Sequence, residues 1–161
     1  MTGRVVGLHV NPNGGVPKWP VESLLITVDG CEGDRQRDRR HHGGPKKAVC
    51  LMEHAVLASL QEAGHPIGPG STGENVLMEG FDSSVLGEGV HLTIGDVLLC
   101  ITGDAPPCKT IRASFLEGDF SSLSHRQRSG MTRWYAEVLR EGRVHLGDRI
   151  EVNASVPTGS Q

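Results

Sequence analysis

The sequence predicts a mostly β fold: a small closed or partly closed β-barrel of short strands with one main helix packed outside. Three observations point there. Glycine accounts for 22 of 161 residues, about 14% and roughly twice the usual share, and glycine inside a helix costs ~1 kcal/mol relative to alanine. Two stretches repeat a strand–Gly-Asp–strand pattern, one around Gly95-Asp96 and one around Gly147-Asp148, as suits a barrel of short strands. A single segment, residues 53–63, carries a strong helical period. The length suits one domain, from residue 4 to 152, with a polar tail at 153–161. With two Trp, one Tyr and three Phe, the core must be aliphatic.

Each element has its own signal. Arg4-Val5-Val6-Gly7-Leu8-His9-Val10 is β-branched and reads as a strand, and Asn11-Pro12-Asn13-Gly14-Gly15 has the chemistry of a loop. Ser23 to Val28 is a second strand, closed by Asp29-Gly30. Residues 31–47 form a long polar loop, and Ala48-Val49-Cys50-Leu51 a short apolar strand. In residues 53–63, Val56, Leu57, Leu60 and Ala63 share one helical face, and Gly64 stands where a C-terminal cap belongs. Residues 64–73 hold four glycines and two prolines and must be loop. Glu74 to Met78 reads as a strand. Val90-His91-Leu92 and residues 97–102 flank the first Gly-Asp pair; Val144-His145-Leu146 and Arg149-Ile150-Glu151-Val152 flank the second. Gly-Asp is also a good tight turn in its own right, which explains the repeat equally simply. Residues 131–139 suit helix or strand; their aromatic and β-branched content favours strand, with Glu141-Gly142 turning into the next one.

Composition excludes several functions. A net charge of −3 gives no support for a general nucleic-acid binder. No apolar run approaches the ~20 residues of a membrane span. Met1-Thr2-Gly3-Arg4 leads straight into strand-like sequence with no secretory apolar stretch, so a cytoplasmic location is expected. Cys31, Cys50, Cys100 and Cys108 lack disulfide-scaffold density and read as thiols. No CxxC is present, which argues against a structural zinc site.

Three segments carry chemistry. Residues 35–47 hold Arg35, Arg37, Arg39, Arg40, Lys46 and Lys47 against Asp38 alone, with His41, His42, Gly43 and Gly44 among them. Arginine supplies forked donors for phosphate, and glycine lets backbone N–H groups approach an anion. The run is therefore either an anion site or a solvated basic loop. Gly73-Glu74-Asn75 opens a strand with a carboxylate and an amide, suited to binding or to a strand cap. Thr102-Gly103-Asp104-Ala105-Pro106-Pro107-Cys108-Lys109 is the most specific feature. Two prolines limit the backbone freedom with which Cys108 is presented, and Lys109 favours the thiolate, the form that attacks and binds metal. Cys50 and Cys100, inside apolar strands, are expected to be packed; Cys31, in a turn, is free to be exposed.

These segments, in this order, resemble the MOSC domain family, named after the C-terminal domain of molybdenum cofactor sulfurase. The match runs from about Arg4 to Val152. It rests on Gly33-Asp34; His42-Gly43-Gly44-Pro45-Lys46-Lys47-Ala48-Val49; Gly73-Glu74-Asn75-Val76; Ile94-Gly95-Asp96; and Thr102-Gly103 leading to Pro107-Cys108. The stretch from Gly130 to Asp148 adds the family's closing run. The resemblance implies a molybdenum cofactor, a molybdopterin with dithiolene-bound metal, with Cys108 as metal ligand and catalytic residue. Arg37, Arg39, Arg40, His42, Gly43, Gly44 and Lys46 would hold its phosphate or pterin end, and Glu74 and Asn75 would line the same cleft. It implies reduction of small N-hydroxylated substrates with electrons from an external electron-transfer protein or domain, or alternatively a binding module that carries cofactor or sulfur as a Cys108 persulfide. One departure stands out: relatives commonly carry Arg-x-Pro-Cys, and here the Arg position is Ala105. Arg112 is the candidate replacement.

Overall fold

The computed structural model of the chain describes residues 1–35 and 44–153. In chain order these residues form β1 (Thr2–Val10), β2 (Trp19–Pro20), β3 (Ser23–Thr27), β4 (Gly30–Cys31), β5 (Val49–Glu53), α1 (His54–Glu62), β6 (Val76–Glu79), β7 (His91–Ile94), β8 (Val97–Ala105), β9 (Arg133–Arg140), β10 (Gly142–His145) and β11 (Arg149–Asn153), with short 3-10 turns between them. The strand order β11-β7-β8-β9-β5-β6-β1 closes on itself through β1–β11 pairing, giving a seven-stranded barrel. An odd ring cannot alternate direction throughout, so one neighbouring pair must be parallel. That pair is β5–β6, and a parallel connection needs a crossover. Helix α1 provides it, which explains the single strong helical period in the sequence.

Period-two alternation sets the two faces of the wall. Val49 and Leu51 of β5, Val76 and Met78 of β6, and Trp134, Ala136 and Val138 of β9 belong to the barrel core. Met52 and Leu77, between them, face outward and pack with Val56, Leu57 and Leu60 of α1, with Ile111, Phe115 and Leu123 completing this second cluster. Burying a side chain of this size is worth about 1.5–3 kcal/mol. Helix α1 stops where the sequence predicts. Gly64 takes φ 95°, the left-handed conformation of a helix C-terminus, and its N–H reaches the Gln61 carbonyl.

A three-stranded sheet of β10, β3 and β4 adds Leu24, Ile26, Cys31 and Val144 to the barrel core. Here the two Gly-Asp units part ways. Strands β7 and β8 form a hairpin across Gly95-Asp96. Strand β10 instead pairs with β3, and β11 with β7 and β1. The second turn docks on β1, exchanging backbone hydrogen bonds between Val5 and Gly147 and Asp148, so its strands diverge into two sheets.

Two cysteines depart from expectation. Cys31 is buried rather than exposed, its Sγ 3.9 Å from the Ala48 carbonyl oxygen, because β4 folds onto the core; burial pushes its thiol pKa up. Cys100 is only half-buried, since the alternation of β8 turns Leu99 and Ile101 inward and leaves Cys100 on the outer face. Residues 131–139 fall mainly in β9, as the aromatic and β-branched content predicts. Among the described residues, no helix is long and apolar enough to cross a membrane.

Candidate active site

The positions that alternate outward from the barrel core on β5 and β9 include Cys50, Arg133 and Tyr135. Cys50 and Tyr135 are direct cross-strand partners. Arg133 opposes Met52 on one side and Ala105 on the other. Over these positions lies a cavity of about 510 Å³. The loop before β2 contributes Gly14, Gly15 and Lys18; the loop before β6 contributes Thr72 and Gly73; and the segment after β8 contributes Pro106, Cys108 and Ile111.

Cys108 is half-buried, and its Sγ lies 2.8 Å from Thr110 Oγ1. Cys50 shares the cavity but is buried, which raises its thiol pKa, while the nearby Arg133 charge acts in the opposite direction. Burial pushes the Tyr135 phenol up to about 12, so it holds its proton at neutral pH, and Lys47 Nζ stands 5.4 Å from its ring centroid. The two thiols thus differ: Cys108 is the accessible one, Cys50 a neutral member of the wall. The proximity of Lys109 to the thiol in sequence does not carry into the cavity, whose lining cations among the described residues are Lys18, Arg35 and Arg133.

Of the Gly73-Glu74-Asn75 motif, Gly73 lines the cavity and the other two residues work one layer behind it. Glu74 is fully buried; its carboxylate accepts from the Gly70 N–H (2.8 Å) and the Thr72 hydroxyl (3.2 Å). It therefore shapes the loop that carries Thr72 and Gly73 and does not itself line the cleft, contrary to the expectation from sequence. Asn75 also lies behind the lining, as a junction. Its Oδ1 accepts from the Cys50 N–H (3.0 Å), and its Nδ2 donates to the His9 carbonyl (3.2 Å) and to Asp34 Oδ2 (2.9 Å). Asp34 in turn accepts from Lys18 Nζ at 2.7 Å in a largely buried ion pair and from the Asn11 N–H at 2.9 Å. Gly33-Asp34 and Gly73-Glu74-Asn75 are thus joined in space. His9, packed against Glu74, has its pKa lowered by burial, with the Glu74 carboxylate opposing that effect.

Gly44 and Lys46 are exposed and are not part of the cavity lining. Arg37, Arg39, Arg40, His42 and Gly43 lie outside the described residues. Arg112 is exposed and does not line the cavity; the cation opposite Ala105 is Arg133. Sequence reasoning missed Arg133, Tyr135 and the cavity position of Cys50. Alternation within Arg133-Trp134-Tyr135-Ala136 was the available signal, since it sets an arginine and a tyrosine together on the face opposite Trp134.

The MOSC domain family model matches residues 38–151. The chain belongs to the MOSC domain family. MOSC domains are associated with molybdenum-cofactor binding. The chain is 29% identical over 140 residues to the protein YflK of Bacillus subtilis (strain 168), covering 86% of this chain and 62% of YflK, so it spans less than two thirds of that relative. It is 26% identical to the protein YiiM of Escherichia coli (strain K12), covering 96% of this chain and 70% of YiiM. The crystal structure of the YUAD protein from Bacillus subtilis superposes with a TM-score of 0.79 at 20% identity, covering 97% of this chain and 98% of that one, which shows a shared fold.

Proposed function

We propose that this MOSC protein binds the molybdenum cofactor in the β5–β9 cleft and reduces small N-hydroxylated substrates with electrons from an external protein or domain. The observation that carries the reading is Cys108, the more accessible of the two thiols in the cavity. A thiolate suits a soft metal centre. The donor set fits the cofactor, because among the described residues the lining offers this thiol and three cations and includes neither aspartate nor glutamate. When bound, the cofactor supplies the metal centre at which an N–O bond is reduced and to which the external donor returns two electrons.

The residues of the chain do the rest. Cys108 is the metal ligand and is held near Thr110 at the cleft wall. Gly43, Gly44, Arg37, Arg39, Arg40, His42 and Lys46 are the proposed partners of the phosphate and pterin end. Glu74 and Asn75 act indirectly, by holding the loop and the strand ends in place. Tyr135 keeps its proton and can donate a hydrogen bond into the cavity.

The test is molybdenum per folded protein, with turnover of an N-hydroxylated base by a reduced donor, for protein made in a cofactor-competent host. Wild type is expected to hold molybdenum and turn over. Cys108→Ser is expected to lose both, while Cys50→Ser and Cys100→Ser keep their metal. Equal molybdenum in Cys108→Ser and wild type would remove the ligand role. A persulfide on Cys108 in a wild type without turnover would replace the reductase reading by sulfur carriage.

A further inference from the structure

Arg133 is the least expected residue of the cleft. Its side chain is buried. The guanidinium donates to three backbone carbonyls: Thr72 (2.6 Å), Ala105 (3.3 Å) and Pro106 (3.2 Å). Its Nε–H has no partner, and among the described residues no carboxylate pairs with it. A buried charge left without a counter-charge is costly, and one that faces a cavity is relieved when an anion enters. Lys18, which also lines the cavity, is already paired with Asp34, and Arg35 is exposed to solvent, so among the described residues the buried, uncompensated positive charge on this wall is that of Arg133. Among the described residues, neither aspartate nor glutamate lines the cavity, although the chain as a whole carries a net charge of −3. The same guanidinium bridges the Thr72 loop and the Ala105-Pro106 segment that presents Cys108, which sets its charge on the wall shared with the thiol.

We propose that Arg133 is the centre of an anion subsite on the inner wall of the cleft, and that it takes a small oxyanion or the equivalent anionic group of a larger ligand bound beside Cys108. The inference rests on the cleft being a ligand site but not on molybdenum or on N–O reduction. Arg133 thereby supplies, from the facing strand, a positive charge at the level of Ala105.

The test is isothermal calorimetry of the purified protein without cofactor, titrated with sodium sulfate and, separately, with phenyl phosphate at constant ionic strength. A melting curve and the rate of Cys108 alkylation by iodoacetamide are recorded alongside. Wild type is expected to bind sulfate, and sulfate is expected to slow alkylation of Cys108. Arg133→Gln should weaken sulfate binding at least tenfold. Folded Arg133→Lys should bind sulfate more weakly than wild type and more tightly than Arg133→Gln, since it keeps the charge and loses the fork. The exposed Arg112→Gln should change nothing. Binding of phenyl phosphate as well as sulfate would mark the anionic group of a larger ligand; sulfate alone would mark a free oxyanion. No sulfate binding by wild type, or equal binding by folded Arg133→Gln, would overturn the proposal. If Arg133→Gln does not fold, failure of sulfate to slow Cys108 alkylation in wild type would overturn it, because the subsite is placed beside that thiol. A normal sulfate result without molybdenum or turnover would sink the reading of function and leave this subsite standing.

Discussion

The two faces of the β5–β9 wall are made from alternate residues of the same strands. Inward, Val49, Leu51, Trp134 and Ala136 are buried in the barrel core. Outward, Cys50, Arg133 and Tyr135 line a cavity of about 510 Å³. The inner face gains from close packing, so its residues are replaceable only at a cost in stability. The outer face holds an uncompensated arginine and a thiol, both turned to the cavity and not to the barrel core. Identity of the strand therefore says little about role; parity along it says a great deal.

Substitutions on the two faces should separate those roles. The largest loss of stability is expected from Leu51→Ala on the inner face, about 2–5 kcal/mol through lost burial and an unfilled cavity. Denaturant unfolding measures it, and sulfate binding per folded molecule should be unchanged. A Leu51→Ala protein that stays as stable as wild type would mean that the inner face is not the packed one.

Gly70→Ala sharpens the comparison from behind the outer face. Gly70 has φ 80°, its N–H is held by Glu74, and an added Cβ would collide with the Lys18 carbonyl oxygen. The expected cost is about 1–3 kcal/mol. Here, unlike Leu51→Ala, sulfate affinity should fall with stability, because the loop that carries Thr72 and Gly73 must move.

Glu53 closes β5 at the inward parity and breaks its apolar rule. It is buried with Oε1 unpaired, and burial, assisted by Asp82, raises its pKa from 4.5 to about 7. A raised carboxyl pKa means that the folded state holds the proton more tightly than the unfolded chain does. Its contribution to stability is therefore fully present below the unfolded value, declines as pH rises towards about 7, and is flat above. Glu53→Gln should match wild type near pH 4 and be more stable at pH 8 by about 1–2 kcal/mol, allowing for solvent screening at the barrel rim. Melting curves at the two pH values decide this; a mutant less stable at pH 8 would show a charged, paired Glu53.

The smallest effect on folding is expected from Cys108→Ser, within ~0.5 kcal/mol for a half-exposed loop residue, beside a complete loss of bound molybdenum. A large drop in melting temperature with metal retained would move Cys108 from the binding face to the packing of the loop.

Much of this architecture is local in origin and legible in the chain. The helix at 53–63 follows from one apolar stripe and a glycine able to take positive φ, and the observed α1 (His54–Glu62) differs only at its ends. Strand β9 follows from alternating aromatic and β-branched residues. The order of motifs, from Gly33-Asp34 through Gly73-Glu74-Asn75 to Pro107-Cys108, likewise belongs to the sequence and identifies the family.

Other features depend on partners distant in the chain. Both Gly-Asp turns read alike, yet one closes a hairpin and the other sends its strands to different sheets, because Gly147 and Asp148 bond to Val5, some 140 residues away in the chain. Cys50 and Leu51 are both buried, so the apolar run conceals which faces the core and which the cleft. Glu74 and Asn75 read as cleft residues but are consumed by Gly70, Thr72, Cys50 and Asp34. Composition and periodicity are properties of neighbours in sequence, and they determined the elements. Whether an outward side chain meets solvent, a helix or a cavity depends on what the tertiary fold lays over it, and that alone set Arg133 in the cleft, opposite Ala105.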